Sequence, residues 1–97
     1  MNRDKFKDEF RKELVFFSMI ANMDLEKGFT IQQAEDELVK YTSSFYGARI
    51  DFDVFAVKKA YFIATYSDQI IKGNILEIEI DNLCDKIEED IKLEKSI

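Results

Sequence analysis

Four carboxylates near the C-terminal end of the sequence come closest to a functional pattern. Glu77, Asp81, Asp85 and Glu89 follow one another at steps of four residues. On a helix, side chains at this spacing share one face, so the four would form an acidic ladder. Two interpretations are open: a solvated outer face, or a docking surface for a protein partner with a basic surface. Residues 74–97 hold eight acids and three lysines, so five of the six net negative charges lie in this segment.

Tyrosine side chains are the second group of candidate binding residues. Nine Phe and four Tyr make 13% of the chain, and an aromatic-rich interior would account for them. Alternatively, Tyr41, Tyr46, Tyr61 or Tyr66 anchors a protein interface, where amphipathic rings are enriched. We take Tyr61 and Tyr66, together with the acidic ladder, as the candidate partner-binding residues.

Other kinds of chemistry lack the residues that they need. The sequence has no His, which excludes the common catalytic triads and most zinc sites. Cys84 is the only cysteine and lies between Leu83 and Ile87 in an apolar pattern, so we expect it to be buried. A calcium loop that starts at Asp51 fails because Ala56 replaces the glycine it requires. We therefore expect a non-enzymatic protein without a metal or a cofactor.

The composition indicates one globular domain that covers residues 1–97. With 46% hydrophobic and 35% charged residues, the chain is too apolar for a disordered segment and too charged for a membrane-embedded one. The net charge of −6 opposes binding to nucleic acid or to anionic lipid. The nearly apolar stretch 14–21 is too short for a transmembrane segment, and no export signal precedes it, so we expect a cytoplasmic protein. Eleven Lys against three Arg indicates an AT-rich genome, such as that of a low-GC bacterium or its phage.

Three glycines, Gly28, Gly47 and Gly73, divide the chain into four pieces, and each stands where a helix would end in a left-handed residue. In the first piece, an apolar stripe recurs every three or four residues and predicts a helix; its members are Phe6, Phe10, Leu14, Phe17 and Ala21. From residue 14 to residue 21, apolar groups occur on every side of this helix. We expect its second half to be surrounded by other elements.

The second helix should begin after Thr30, because Thr30 and Gln33 form the pattern of a capping box. Its core-facing positions are Ile31, Ala34, Leu38, Tyr41 and Phe45, and it should end at Gly47.

The third helix should run from Val54 to Lys72, with Asp51 or Asp53 as its cap, and should be the central one. The fourth should open with Asn74 as N-cap and Glu77 as the third helical residue. Its apolar positions are Leu76, Ile80, Leu83, Ile87 and Ile91. Four helices of this length predict an all-α antiparallel four-helix bundle.

An alternative fold is α+β. Apolar and acidic residues alternate in the segments 49–54 and 75–81, a two-residue period that is typical of strands. These two segments could pair as a small two-stranded ribbon.

The run from Ala60 to Ile70, AYFIATYSDQI, followed by a short turn and an acidic-apolar helix, resembles the enterocin A-type bacteriocin immunity proteins. The resemblance covers about a third of the chain. It implies an antiparallel four-helix bundle in the cytosol that protects its host by engaging a membrane target or a toxin complex. It also implies that specificity lies towards the C-terminal end. Members of that family are often basic, whereas this chain is acidic.

We expect a small acidic protein-binding module that neutralises or modulates a protein partner, such as a bacteriocin immunity protein or a phage or mobile-element inhibitor. A structural homodimer or assembly subunit is the alternative, with the surplus aromatic side chains buried between chains. A helical DNA-binding regulator ranks third, because a helix-turn-helix around the second and third helices would have only Arg49, Lys58 and Lys59 to contact nucleic acid.

Overall fold

The structure is a computed structural model that describes residues 1–51, 53–74 and 76–95. It consists of four helices in chain order: α1 (Arg3–Glu26), α2 (Ile31–Gly47), α3 (Ala56–Ile71) and α4 (Glu77–Lys95). The residues in these ranges form no strand, so the all-α prediction is confirmed. The bundle measures 50 × 25 × 18 Å. None of the described helices is both long and apolar enough to cross a membrane.

Contacts between the helices give the topology. Tyr46 of α2 donates a hydrogen bond to Glu13 of α1, whereas Tyr41, earlier on α2, packs on Phe17, later on α1. The two helices therefore run in opposite directions. Along α3, Phe62 packs on Phe10 and the carbonyl of Ile71 accepts from Asn22, so α3 runs parallel to α1. Successive helices therefore alternate in direction, as in an up-and-down bundle.

One hydrophobic core joins all four helices. Its largest fully buried side chains are those of Tyr46, Phe10, Phe17, Leu38, Ile63, Ile80 and Ile87. Phe17 makes edge-to-face contacts with Phe45 and Tyr46 at ring-centroid distances of 5.3 and 5.8 Å. Cys84 lies in the same cluster at 0% exposure, as predicted. Aromatic side chains thus fill much of the space between α1, α2 and α3.

The start of α2 and the left-handed conformation of two of the three glycines were predicted correctly. Thr30 and Gln33 form the predicted capping box, with both reciprocal hydrogen bonds present. Gly28 and Gly73 have φ values of +98° and +74°, a region that favours glycine. α2 ends at Gly47 as predicted, but Gly47 does not have a positive φ, so the left-handed conformation predicted for it is wrong.

The predicted starts of α3 and α4 need correction. α3 begins at Ala56, and Asp53 accepts a hydrogen bond from the amide of Phe55 instead of capping the helix. α4 begins at Glu77, so this residue opens the helix and is not its third residue. Asn74 is not the N-cap of α4, because the helix begins at Glu77, three residues further on; its side-chain amide donates to Gln69.

The predicted ribbon is wrong for the residues that can be described. Residues 49–51 form turns and residues 77–81 belong to α4, while Phe52 and Ile75 lie outside the described residues. Alternation over five residues was outweighed by the helical apolar period that continues to Ile91.

The second half of α1 differs most from expectation. Its inner side is buried, but Val15, Phe16, Met19 and Met23 are exposed by 62, 48, 61 and 54%. We call these four residues the α1 apolar face. On α2, Ile31 and Tyr41 were predicted to face the core, and both are exposed as well.

Candidate functional site

The acidic ladder takes part in a network of ion pairs between α4 and α1. Arg11 donates from Nε to Oε1 of Glu77 at 2.6 Å and from Nη2 to Oε2 at 2.7 Å. Lys7 Nζ lies 2.6 Å from Oδ1 of Asp81. A guanidinium that holds both oxygens of a carboxylate fixes its orientation as well as its charge. These two acids are therefore used within the fold.

The network continues at the N-terminal end of α1. Nη2 of Arg3 lies 2.8 Å from Oδ1 of Asp85, and Nη1 donates to Glu88 at 3.2 Å. The same guanidinium donates to the backbone carbonyl of Asp81 at 3.0 Å. Glu89, the last member of the acidic ladder, is exposed and belongs to none of these pairs. Three members of the ladder thus pair with bases of α1, whereas Glu89 belongs to none of these pairs.

The sequence could have revealed this network, but the basic members were not recognised. Arg3, Lys7 and Arg11 recur every four residues, the same step as the acids, and lie beside the apolar stripe of α1. When two helices run antiparallel, series with the same step lie opposite each other along their whole length. Arg3, the first base, therefore lies opposite Asp85, the third acid. Within α4 alone, the acids repel one another, and the match becomes visible only when the two series are compared.

The ion pairs change the pKa values of both partners. The hydrogen bond from Arg11 holds the pKa of Glu77 below its ordinary value, and the hydrogen bond from Lys7 does the same for the pKa of Asp81. In turn, the hydrogen bond to Asp81 raises the pKa of Lys7. All of these groups therefore remain charged over a wider pH range than in an unfolded chain.

Tyr61 and Tyr66 border a groove of about 630 Å³ between α3 and α4, which we call the α3–α4 groove. Tyr61 is 77% exposed, whereas Tyr66 is half-buried with its ring centroid 4.8 Å from that of Phe62. Asp85 lines the opposite wall. The structure thus brings three of the six predicted site residues together, and it directs Glu77 and Asp81 towards α1.

The groove also contains charged residues that the sequence did not single out. Glu79 and Lys86 line its α4 side, and Lys58 lines its α3 side, where it forms an ion pair with Asp90. Glu89 lies two helical turns after Asn82, another residue of the α4 wall, and so on the same side of the helix. Acids therefore outnumber bases along the α4 wall and its outer edge.

A buried charge network on the other side of α3 was missed entirely. Lys59 is 5% exposed, and its Nζ lies 2.8 Å from Asp53 and 3.5 Å from Glu13. The hydroxyl of Tyr46 donates to Glu13 at 2.6 Å. The ammonium also lies within 6 Å of the ring centroids of Phe6, Phe10 and Tyr46. Two carboxylates and three aromatic rings thus surround and stabilise one buried cation.

Helical spacing would have located this network. Lys59 falls between Ala56 and Ile63 on the buried face of α3, and Glu13 falls between Phe10 and Phe17 on that of α1. A charge on an apolar face at these positions indicates a buried pair. Burial and the hydrogen bond to Glu13 raise the pKa of Tyr46, so its hydroxyl stays protonated and remains a donor.

No protein-family model, curated protein or solved structure matches the chain. What the site can do therefore follows from its own groups. The α3–α4 groove offers an exposed ring, an apolar floor at Phe62 and Leu83, and acids on one wall. This combination is suited to holding a side chain of another molecule.

Proposed function

We propose that the chain is a non-enzymatic cytoplasmic module that binds a protein partner and neutralises or modulates it, as a bacteriocin immunity protein or a phage or mobile-element inhibitor does. The observation that carries the proposal is the position of Tyr61, 77% exposed beside the α3–α4 groove. An amphipathic ring at the edge of a groove can pack on a partner and still use its hydroxyl in a hydrogen bond. Tyrosines in this position are common anchors of protein interfaces.

The surroundings of Tyr61 support a partner segment with an apolar anchor. Val57, one turn earlier on α3, is 58% exposed and lines the same groove. Phe62 and Leu83, which are both buried, form the floor of the groove. An aliphatic or aromatic side chain inserted there would therefore lose contact with water. The contact would therefore gain from the hydrophobic effect at its centre.

The charges favour a basic partner. Glu79, Asp85 and Glu89 lie along the α4 wall or its outer edge, and Lys86 is the base that accompanies them. Asp85 pairs with Arg3, yet its side chain is 65% exposed. Complementary charge of this kind accelerates association and orients the partner. The docking role thus moves from the whole acidic ladder to the acids that face solvent.

The buried network supports a non-enzymatic role. Glu13 and Asp53 both contact Lys59, and the Tyr46 hydroxyl is directed to Glu13. Each group satisfies another group of the same cluster. Such an arrangement stabilises the packing of α1, α2 and α3, which is a structural role.

The test is capture followed by measured affinity. Tagged protein would be used to isolate a partner from the lysate of its host, and the purified partner would then be titrated by calorimetry at two salt concentrations. We expect Tyr61→Ala to weaken binding by about tenfold or more, as for an interface anchor. Glu79→Lys should weaken binding at low salt and reduce its salt dependence.

Two variants serve as controls. Tyr41→Ala removes a partly exposed tyrosine of α2, and Glu35→Lys makes the same charge change on that helix, away from the α3–α4 groove. Neither should change the affinity more than about twofold. If Tyr61→Ala and Tyr41→Ala bound the partner equally well, or if no stoichiometric partner were captured, the proposal would be wrong.

A further inference from the structure

The α1 apolar face has no cover among residues 1–51, 53–74 and 76–95, which the structure describes. Its four side chains are all about half exposed or more, and they lie within nine residues of one helix. Residues 14–23 include no charged residue. Single exposed apolar residues are normal on a soluble protein, but a contiguous uncharged patch of large side chains marks an interaction site.

This patch continues beyond α1. Val15 and Met19 also line a groove of about 430 Å³ between α1 and the start of α4. Leu14, Ile70, Leu76 and Ile80 contribute apolar surface to it, and Arg11 and Glu77 close one end with their ion pair. A helix laid along α1 would therefore cover the exposed side chains and contact this groove.

The charges at the two ends of the patch indicate what that helix is. Lys12 lies seven residues before Met19 and Glu26 seven residues after it, so all three lie on nearly the same line of the helix surface. Both charged residues are exposed. Neither forms a salt bridge with another residue in the described part of the chain. Along this line of the helix surface, a basic residue comes first, an apolar residue second and an acidic residue third.

We propose that the α1 apolar face binds a second copy of this chain, with the two α1 helices antiparallel and Met19 of each copy at the two-fold axis. In that arrangement, each Lys12 lies opposite Glu26 of the second copy. A parallel arrangement would set Lys12 against Lys12 and Glu26 against Glu26. The charge pattern is therefore complementary to itself in the antiparallel orientation alone.

An anionic membrane surface is a poorer occupant of this face. Helices that lie on such membranes carry Lys and Arg along the border of their apolar side, whereas this chain has a net charge of −6 and an acid at one end of the patch. Because the apolar contact consists of four side chains from each copy, the dimer should be weak and reversible. It uses a different surface from the α3–α4 groove, which stays open in the dimer.

Sedimentation velocity over a range of protein concentrations tests the proposal. We expect the mass of the wild-type protein to rise from one towards two copies as concentration increases. Met19→Lys should abolish this rise, because it places two like charges at the two-fold axis. Val54→Lys is the control, since Val54 is 81% exposed and lies outside the patch, and it should leave the dimer unchanged.

Charge exchange tests the orientation. Lys12→Glu and Glu26→Lys, each alone, should weaken the dimer by about tenfold, because each converts two attractive pairs into repulsive ones. The double variant should restore wild-type association.

Circular dichroism would verify that every variant is folded. A monomer at all concentrations, or a dimer that is indifferent to Met19→Lys, would refute the proposal, and a double variant as weak as the single ones would refute the antiparallel orientation. Tyr61→Ala, which tests the proposed function, should leave the dimer intact.

Discussion

Arg11 and Glu77 form a bidentate ion pair that joins the middle of α1 to the first residue of α4, at 2.6 and 2.7 Å. Arg11 also lies 2.9 Å from Asp8 in the preceding turn of its own helix. The guanidinium of Arg11 thus links Asp8 of α1 to Glu77, the first residue of α4. An ion pair at this position acts on where α4 begins and on the angle at which it meets α1.

The first prediction compares two glutamates on α4. Glu77→Lys and Glu89→Lys alter the net charge equally, but only the first replaces a paired carboxylate with a cation beside Arg11. We expect Glu77→Lys to lower the Tm by several degrees and Glu89→Lys to leave it nearly unchanged. Thermal unfolding followed by circular dichroism would measure both. Equal Tm values for the two variants would show that the pair does not stabilise the fold.

The second prediction concerns acid. The folded-state pKa values of Glu77 and Asp81 lie below their ordinary values, so these groups contribute stability above the unfolded pKa. That contribution is lost as the pH falls through the lower, folded pKa values, from about pH 4.5 downward. Urea unfolding between pH 7 and pH 3 would reveal the loss.

The matched variant for this measurement carries Glu77→Gln and Asp81→Asn. It should be less stable than the wild type at pH 7, and the difference should shrink as the pH falls, because the wild type then loses the same charges. A difference that stays constant from pH 7 to pH 3 would contradict an ionic origin.

The third prediction concerns Cys84. Burial raises the pKa of its thiol, and the side chain is 0% exposed in the core. We expect a disulfide reagent to react with the native protein far more slowly than with the protein in urea, since both access and thiolate formation are suppressed. Absorbance at neutral pH would follow the reaction. Equally fast labelling with and without urea would contradict the buried position.

How far the sequence predicts this fold depends on whether the signal is local. The capping box at Thr30 and the left-handed glycines Gly28 and Gly73 involve neighbours within four residues, and all were predicted correctly. The start of α4 was not, because the helix begins at Glu77, two residues later than the pattern of Asn74 and Glu77 indicates. An N-cap pattern specifies a possible bond, and tertiary contacts decide whether it forms.

The candidate site shows the same limit at longer range. The acidic ladder was correctly identified as a regular series, but its partners lie more than 60 residues away on α1. The apolar pattern of residues 14–21 correctly indicated a helix with no polar side, yet the described part of the chain covers only one side of it. A sequence period shows that a face needs a partner, but it does not show whether the partner belongs to the same chain.

The fourth prediction distinguishes two adjacent lysines of α3. Lys59 is buried between Asp53 and Glu13, whereas Lys58 is partly exposed and pairs with Asp90 at the surface. Lys59→Met should lower the free energy of unfolding by about 3 kcal/mol, because two carboxylates would remain near each other without their cation. Lys58→Met should cost less than about 1 kcal/mol. Urea unfolding at pH 7 would measure both values.

A second variant separates charge from packing in this network. Combining Lys59→Met with Glu13→Gln and Asp53→Asn removes the cation and both of its charged partners together. This triple variant should recover part of the stability lost in Lys59→Met alone, because no uncompensated charge remains between α1 and α3. A triple variant less stable than Lys59→Met would show instead that the hydrogen bonds of Glu13 and Asp53, including the one that Glu13 accepts from Tyr46, outweigh the cost of their charge.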